Sequence, residues 1–240
     1  MRRKFAVLSM ITAHSLKQVF WVLLLLVLGN GLIFRLFPMP EGQLYEKLDS
    51  GAMVFCWILS YGLISFFLIR ALCDRGGNQD LMIRRLELSP KRFFWIHCLY
   101  NSCCYFLLYA VESLSLMMLA RWHIAENPGM FTSQSWMLVC YQSDVLHSFL
   151  PLSDGLGWAV NAFAVTGMGI CAAAFSFRNR GGKLGVSTFF MAALIPLYVV
   201  LQNSLHGMDI TAKILFLILG TAYVSASLWG VGGMEEVYAN

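Results

Sequence analysis

Residues 18–37 read QVFWVLLLLVLGNGLIFRLF, a run of twenty residues in which Arg35 is the only charged side chain. A helix needs about 20 apolar residues to cross the hydrocarbon core of a bilayer. The apolar residues follow one another without the alternation that the strands of a membrane barrel require. This stretch therefore predicts a membrane-spanning α-helix.

Five further stretches have the same character, and the six together use over half of the 240-residue chain. They account for a hydrophobic content of 58% and a charged content of 12%, the latter about half the ~25% typical of soluble domains. A soluble protein could not cover its surface with so few charges. The sequence predicts an all-α integral membrane protein, one transmembrane domain over 1–240 with six transmembrane helices at about 18–37, 51–72, 94–120, 155–177, 185–203 and 211–232.

Basic residues gather in three of the segments outside these spans. Residues 2–17, 70–93 and 178–184 hold 13 of the 17 Lys and Arg residues. The remaining connections hold the other four, together with seven of the thirteen acidic residues. Connections rich in Lys and Arg stay in the cytoplasm, so this distribution predicts that both termini are cytoplasmic.

The seventeen residues before the first span carry Phe5, Leu8, Ile11 and Leu16 at spacings that allow one apolar face. We expect an N-terminal amphipathic helix at 1–17 that lies in the membrane interface, with an irregular basic tail as the alternative. The N-terminal segment does not have the pattern of a cleaved signal peptide, because the apolar stretch begins only near residue 18 and no small-residue cleavage site follows it.

The longest external connection, 121–154, contains a second kind of apolar segment. Residues 135–152 (SWMLVCYQSDVLHSFLPL) are interrupted by Gln142, Asp144 and His147. An aspartate at the bilayer centre costs about 2.5–3.5 kcal/mol. A seventh crossing would also place the basic connection 178–184 outside. We therefore expect this external loop to contain a helix that lies in the outer interface or dips into the membrane and out again.

Chemical motifs are scarce. Gly181-Gly182-Lys183 is similar to the end of a phosphate-binding loop, but Phe177 and Leu184 stand where a glycine and a magnesium-binding Ser or Thr belong. Neither a dinucleotide fingerprint nor a serine-nucleophile elbow is present. Most of the seven cysteines lie in apolar stretches, where Cys acts as a small apolar side chain, and predict no disulfide framework. We expect no catalytic activity and no cofactor in this chain.

Glu112 is the one acidic residue well inside a predicted span. Ionisable groups at that depth usually face the protein interior or water and often mark a pathway, so Glu112 is a candidate substrate-pathway residue. The alternatives are contact with the interface or pairing with another helix. Asn161 is a weaker pathway candidate, because polar side chains in membranes often only bond between helices.

His97 and Asn101 lie four residues apart and share a helix face. A metal site would need further ligands or acids nearby, and Glu112 lies fifteen residues further along the chain than His97, about 22 Å along the same helix. A packing or headgroup role is therefore favoured over a metal site. Small residues recur one turn apart in the fourth span, as in Gly169-x3-Ala173, and in the sixth, as in Ala222-x3-Ala226. Such pairs predict close helix packing or a dimer contact.

The cytoplasmic loop at 73–93, between the second and third spans, carries the most specific pattern. It runs Arg75-Gly76-Gly77, then the amphipathic stretch NQDLMIRRLELS at 78–89, then Pro90-Lys91-Arg92 and the third span. This order resembles the type-two class of ABC exporter permeases, in which a glycine, a short helix and an arginine-containing segment join the same two spans. The N-terminal basic helix, the six spans and the short basic loop after span four are similar as well.

In that family the short cytoplasmic helix docks on a separate ATPase subunit. The resemblance therefore implies an ATPase-coupling set formed by Asp80, Leu81, Arg84, Arg85, Leu86 and Glu87. It implies an ABC ATPase and a second permease subunit as partners within the lipid bilayer, with ATP and magnesium bound by the ATPase. No nucleic-acid partner is expected.

In length and plan the chain is most similar to small bacterial permeases that export amphipathic peptides, including lantibiotic-immunity and toxin-peptide exporters. The resemblance implies ATP-driven export by alternating access in the bacterial cytoplasmic membrane. Two other classes stay open. An intramembrane enzyme would need polar residues clustered at one depth, which the sequence does not show, and a membrane scaffold or sensor subunit would not transport.

Overall fold

The computed structural model describes residues 2–36, 44–70, 89–127, 135–152, 154–180, 186–204 and 209–232. All regular elements within these ranges are α-helices. In chain order they are α1 (Arg2–Leu36), α2 (Leu44–Leu48), α3 (Gly51–Arg70), α4 (Pro90–Glu126), α5 (Ser135–Gln142), α6 (Asp144–Phe149), α7 (Gly155–Arg180), α8 (Val186–Ser204) and α9 (Asp209–Gly232). The six long helices α1, α3, α4, α7, α8 and α9 fall on the six predicted stretches.

Five segments of the described chain are long and apolar enough to cross a membrane. They are Ser15–Leu36, Leu44–Arg70, Lys91–Glu126, Gly155–Asn179 and Ile210–Trp229, while α8 contributes the shorter apolar segment Val186–Val200. Large apolar side chains such as Phe20, Phe55 and Phe106 are more than half exposed on the outside of the bundle. Because that surface suits lipid rather than water, the fold is that of an all-helical, multi-pass membrane protein.

The N-terminal segment differs from expectation. We expected a separate interfacial helix at 1–17, but α1 runs without a break from Arg2 to Leu36. Residues 2–28 contain neither proline nor glycine, so nothing in their backbone ends the helix where the charged lead meets the apolar span. The apolar segment begins at Ser15.

From α3 onwards, consecutive long helices run antiparallel, as contacts at two levels of each pair show. The rings of Trp57 and Tyr61 in α3 lie 5.8 and 5.7 Å from those of Tyr109 and Tyr105 in α4. Helices α4 and α7 are antiparallel through the contacts Phe93–Phe177 and Ser102–Gly169. Helices α7 and α8 are antiparallel through Cys171–Thr188 and Gly167–Met191. Helices α8 and α9 are antiparallel through Ser187–Ser227 and Tyr198–Phe216. Helix α1 runs parallel to α4, because Ser15 is hydrogen-bonded to Tyr100 at one level and Asn30 to Glu112 at another. The beginnings of α1, α4 and α8 therefore lie at one end of the bundle, with the ends of α3, α7 and α9.

The two ends of the bundle differ in charge. The end where α4 begins carries Lys17, Arg70, Lys91, Arg92 and Arg178, and no acidic side chain that the structure describes lies there. We call it the basic end. The opposite end, which we call the mixed end, carries four basic side chains together with Glu46, Asp49, Glu126, Asp144 and Asp154.

Helices α4 and α7 cross very closely at Gly169. A Cβ atom on Gly169 would overlap Ser102 Oγ and lie only 2.7 Å from the backbone nitrogen of Ser102. Neither backbone can move aside without shifting its helix. The close packing predicted for the small residues of the fourth span is confirmed here.

The external segment 135–152 forms two short helices and not the single interfacial helix that we expected. Helix α5 has 8 residues and α6 has 6, which makes them about 12 and 9 Å long at 1.5 Å per residue. Ser143 separates them, because its side chain accepts a hydrogen bond from the backbone of Leu146 and starts a new helix. Neither piece is long enough to cross a membrane, which agrees with the prediction that this segment is no seventh span.

Candidate functional site

Glu112 lies in a buried polar cluster between α1 and α4. Its Oε2 accepts a hydrogen bond of 2.7 Å from Asn30 Nδ2, which also donates to Ser115 Oγ at 3.0 Å. Ser115 Oγ in turn donates to the backbone carbonyl of Glu112 at 2.9 Å. We call these three residues the Glu112 cluster. Both Asn30 and Glu112 are fully buried, so the cluster joins the two helices away from solvent.

Two acceptor atoms of this cluster have no hydrogen-bond partner in the described structure. They are Glu112 Oε1 and Asn30 Oδ1. Polar atoms in protein interiors are nearly always hydrogen-bonded, and an unpaired one costs about 1–3 kcal/mol. Two orphaned oxygens on the same pair of side chains therefore mark the site as incomplete.

Helix α3 also lies next to the Glu112 cluster, through Cys56. The thiol of Cys56 lies within electrostatic range of Glu112. A Cβ atom on Gly29, next to Asn30, would lie only 3.0 Å from Cys56 Sγ. The absence of a side chain at Gly29 thus lets α1 and α3 approach each other beside Asn30.

The chemistry available to this cluster is narrow. It contains one carboxyl, one amide, one hydroxyl and a neighbouring thiol. Within the described part of the chain, no group of three or more His, Cys, Asp or Glu residues is arranged to hold a metal ion. The cluster can bind a proton or a small cation, or serve as a polar tie between helices.

Asn161 is not part of this cluster. Its amide nitrogen donates to the backbone carbonyls of Ser148 and Phe149, at 2.8 and 3.2 Å. These carbonyls lie at the end of α6, where the helix leaves backbone acceptors without internal partners. The position joins α7 to the external segment, and the pathway assignment of Asn161 stays a prediction.

His97 and Asn101 are both buried in the first half of α4. They lie eleven or more residues before Glu112, which puts them at least ~16 Å away along the helix axis. The predicted coupling set Asp80, Leu81, Arg84, Arg85, Leu86 and Glu87 lies outside the described residues.

Two polar contacts organise the mixed end. The carboxylate of Asp49 accepts hydrogen bonds from Ser143 Oγ and from the backbone nitrogens of Asp144 and Val145, at 2.6 to 3.1 Å. It therefore caps the first turn of α6. Lys213 of α9 donates to Asp154 at 2.5 Å, and this hydrogen bond holds the pKa of the Asp154 carboxyl below its ordinary value.

Sequence reasoning did not identify Asn30, although a signal was present. Asn30 is the one amide inside the long apolar run of α1 after Gln18, and a polar side chain at such depth needs a partner. No pattern in the sequence named that partner, because Asn30 and Glu112 are 82 residues apart. Pairing with another helix is one of the alternatives that the sequence allows for Glu112, and the structure shows it as the contact with Asn30 of α1.

Comparison of the chain with protein-family models, with curated proteins and with solved structures yields no match.

Proposed function

We propose that the chain is the membrane-spanning permease subunit of an ATP-driven ABC exporter of the type-two class. In this proposal six helices cross the bacterial cytoplasmic membrane, with both termini in the cytoplasm. A second permease subunit and an ATPase pair complete the transporter. The cargo class is amphipathic peptides or other hydrophobic compounds, and Glu112 and Asn161 are its pathway candidates.

The observation that carries the proposal is the separation of charge along the bundle. Among the described residues, the charged side chains of the basic end are Lys and Arg, whereas the acids other than Glu112 lie towards the mixed end. Cytoplasmic connections of membrane proteins carry the excess of Lys and Arg. The basic end is therefore the natural cytoplasmic face. Helix α3 ends and α4 begins at that face, and the proposed coupling segment 78–89 stands between these two helices in the sequence.

The length of α4 fits a mechanical link between that segment and the membrane interior. Its 37 residues extend about 56 Å at 1.5 Å per residue, against a hydrocarbon core of about 30 Å. One rigid helix thus runs from the end of the coupling segment at Pro90, through the crossing at Ser102, to Glu112. A displacement at its basic end is transmitted directly to the polar cluster.

The experiment is purification of the tagged chain from its native membrane, followed by assay of bound ATPase activity and of peptide export. We expect Leu81→Asp to remove the ATPase subunit and to abolish export while insertion stays normal. An apolar anchor supplies most of the energy of such an interface, and a buried aspartate would disrupt it.

The matched control is Gln79→Asp, which adds the same charge to the same segment at a polar position. It should retain both the partner and export. If the parental chain purifies without a stoichiometric ATPase, or if Leu81→Asp still binds it and exports at the parental rate, the permease assignment fails and a scaffold or sensor role takes its place.

A further inference from the structure

We propose that Glu112 is a buried proton-binding site, at which one proton completes the hydrogen bonding between the Glu112 carboxyl and the Asn30 amide. This proton ties α4 to α1. The inference stands on the Glu112 cluster alone and does not depend on the proposed export function.

The hydrogen atoms of the cluster can be counted one by one. The two amide hydrogens of Asn30 are used on Glu112 Oε2 and Ser115 Oγ. The hydroxyl hydrogen of Ser115 is used on the backbone carbonyl of Glu112. Glu112 Oε1 and Asn30 Oδ1 can only accept, and no donor reaches either of them. The cluster is short of one hydrogen.

A proton on Glu112 Oε1 removes this shortage. The carboxylic acid then has one oxygen that accepts from the Asn30 amide and one hydroxyl that can donate to the amide oxygen. An acid and a primary amide are complementary in this way, since each offers one donor and one acceptor side by side. A proton also adds no volume to a cluster in which both Asn30 and Glu112 are fully buried.

Among the described residues, no cationic side chain contacts Glu112. From α1 the neutral Asn30 faces it, from α4 the neutral Ser115, and from α3 the thiol of Cys56. The cations nearest along α1 and α4 point elsewhere, because Arg35 lies over the ring of Trp122 at 5.1 Å and Arg121 is exposed. An uncompensated buried carboxylate costs several kcal/mol, which a bound proton avoids.

The cluster lies nearer to the mixed end than to the basic end. Glu112 is 14 residues before the last residue of α4 and 22 residues after its first. Loss of the proton leaves a charge at the contact between α1 and α4 and breaks the acid–amide pair. The tie between α1 and α4 is therefore sensitive to pH.

The first test uses the unaltered protein in lipid nanodiscs and a hydrophobic carbodiimide, which adds to protonated carboxyl groups. Peptide mass spectrometry should find the adduct on Glu112 and not on Glu126, whose side chain is exposed at the end of the same helix. The yield should fall as the pH is raised. Absence of the adduct overturns the proposal, and so does protection of Glu112 by sodium or potassium ions at constant pH, which would identify a cation site.

The second test is infrared spectroscopy of the carboxylic-acid carbonyl stretch. We expect Glu112→Gln to lose one such band, Glu126→Gln to keep it, and Asn30→Leu to shift it. A spectrum of Glu112→Gln that retains every band of the parental protein would contradict the proposal. If Glu112→Gln does not fold, the carbodiimide result on the unaltered protein still decides. Neither measurement involves an ATPase, so failure here is distinguishable from failure of the proposed function.

Discussion

Lys213 is the most deeply buried cation that the structure describes, with only 2% of its side chain exposed. Its ammonium group donates to Asp154, so α9 and α7 are joined where both helices begin. Because this hydrogen bond lowers the pKa of Asp154 below the ordinary 3.8, the pair stabilises the fold above pH 3.8. Its contribution disappears as the pH falls from 3.8 towards the folded-state pKa.

We predict that Lys213→Met lowers the free energy of unfolding at neutral pH by about 1.5–3 kcal/mol, the range for a hydrogen bond to a charged group. The variant should also lose the part of the acid destabilisation that the parental protein shows below pH 3.8. Unfolding in SDS at neutral and acidic pH measures both effects. Lys17→Met, which removes an exposed cation near the basic end, should change neither, and equal losses in the two variants would contradict the prediction.

Single residues also show where sequence reasoning stops. Glu112 was recognisable from its depth alone, because one acid inside an apolar span is conspicuous. Its partner was not recognisable, since the contact depends on how α1 and α4 are rotated against each other. The Asp49 cap of α6 joins residues 94 to 96 positions apart and depends on the fold in the same way.

At the scale of the helices, apolar length alone located the six long elements, because a span needs about 20 apolar residues. It did not locate the boundaries that depend on backbone termination. Helix α1 continues through its charged lead because no residue before Gly29 ends it. The external segment breaks at Ser143 because that side chain and Asp49 together cap a new helix. Hydropathy predicts neither the continuation of α1 through its charged N-terminal segment nor the break at Ser143.

The tightest helix contact yields a prediction at this scale. We expect Gly169→Ala to destabilise the bundle by about 1–3 kcal/mol, the usual cost of overpacking, because the added methyl group meets Ser102 in the facing helix. The midpoint of SDS unfolding measures the loss. Gly62→Ala is the control, since a Cβ atom there meets nothing within 4 Å, and it should not lower the midpoint. If the two variants unfold alike, the described crossing of α4 and α7 is wrong.

For the whole molecule, the open question is whether α8 crosses the bilayer. Its described apolar segment, Val186–Val200, is shorter than the five candidate spans, yet it runs antiparallel to both α7 and α9. If α8 crosses, residue 180 at the end of α7 and Thr211 at the start of α9 lie on opposite sides of the membrane. If it does not cross, both lie on the same side. Labelling residue 180 and Thr211 from the two sides of the membrane therefore decides between five and six crossings.

We predict six crossings, with the basic end inside. In a variant without its seven native cysteines, a membrane-impermeant maleimide applied to intact cells should label Glu46→Cys and Thr211→Cys. It should label Lys91→Cys and Arg180→Cys only after permeabilisation. Glu46 and Lys91 are exposed on opposite ends of the bundle, so they calibrate the two sides independently of α8. Labelling of Arg180→Cys and Thr211→Cys from the same side would reduce the fold to five crossings. It would also place the C-terminus on the opposite side of the membrane from the basic N-terminal segment.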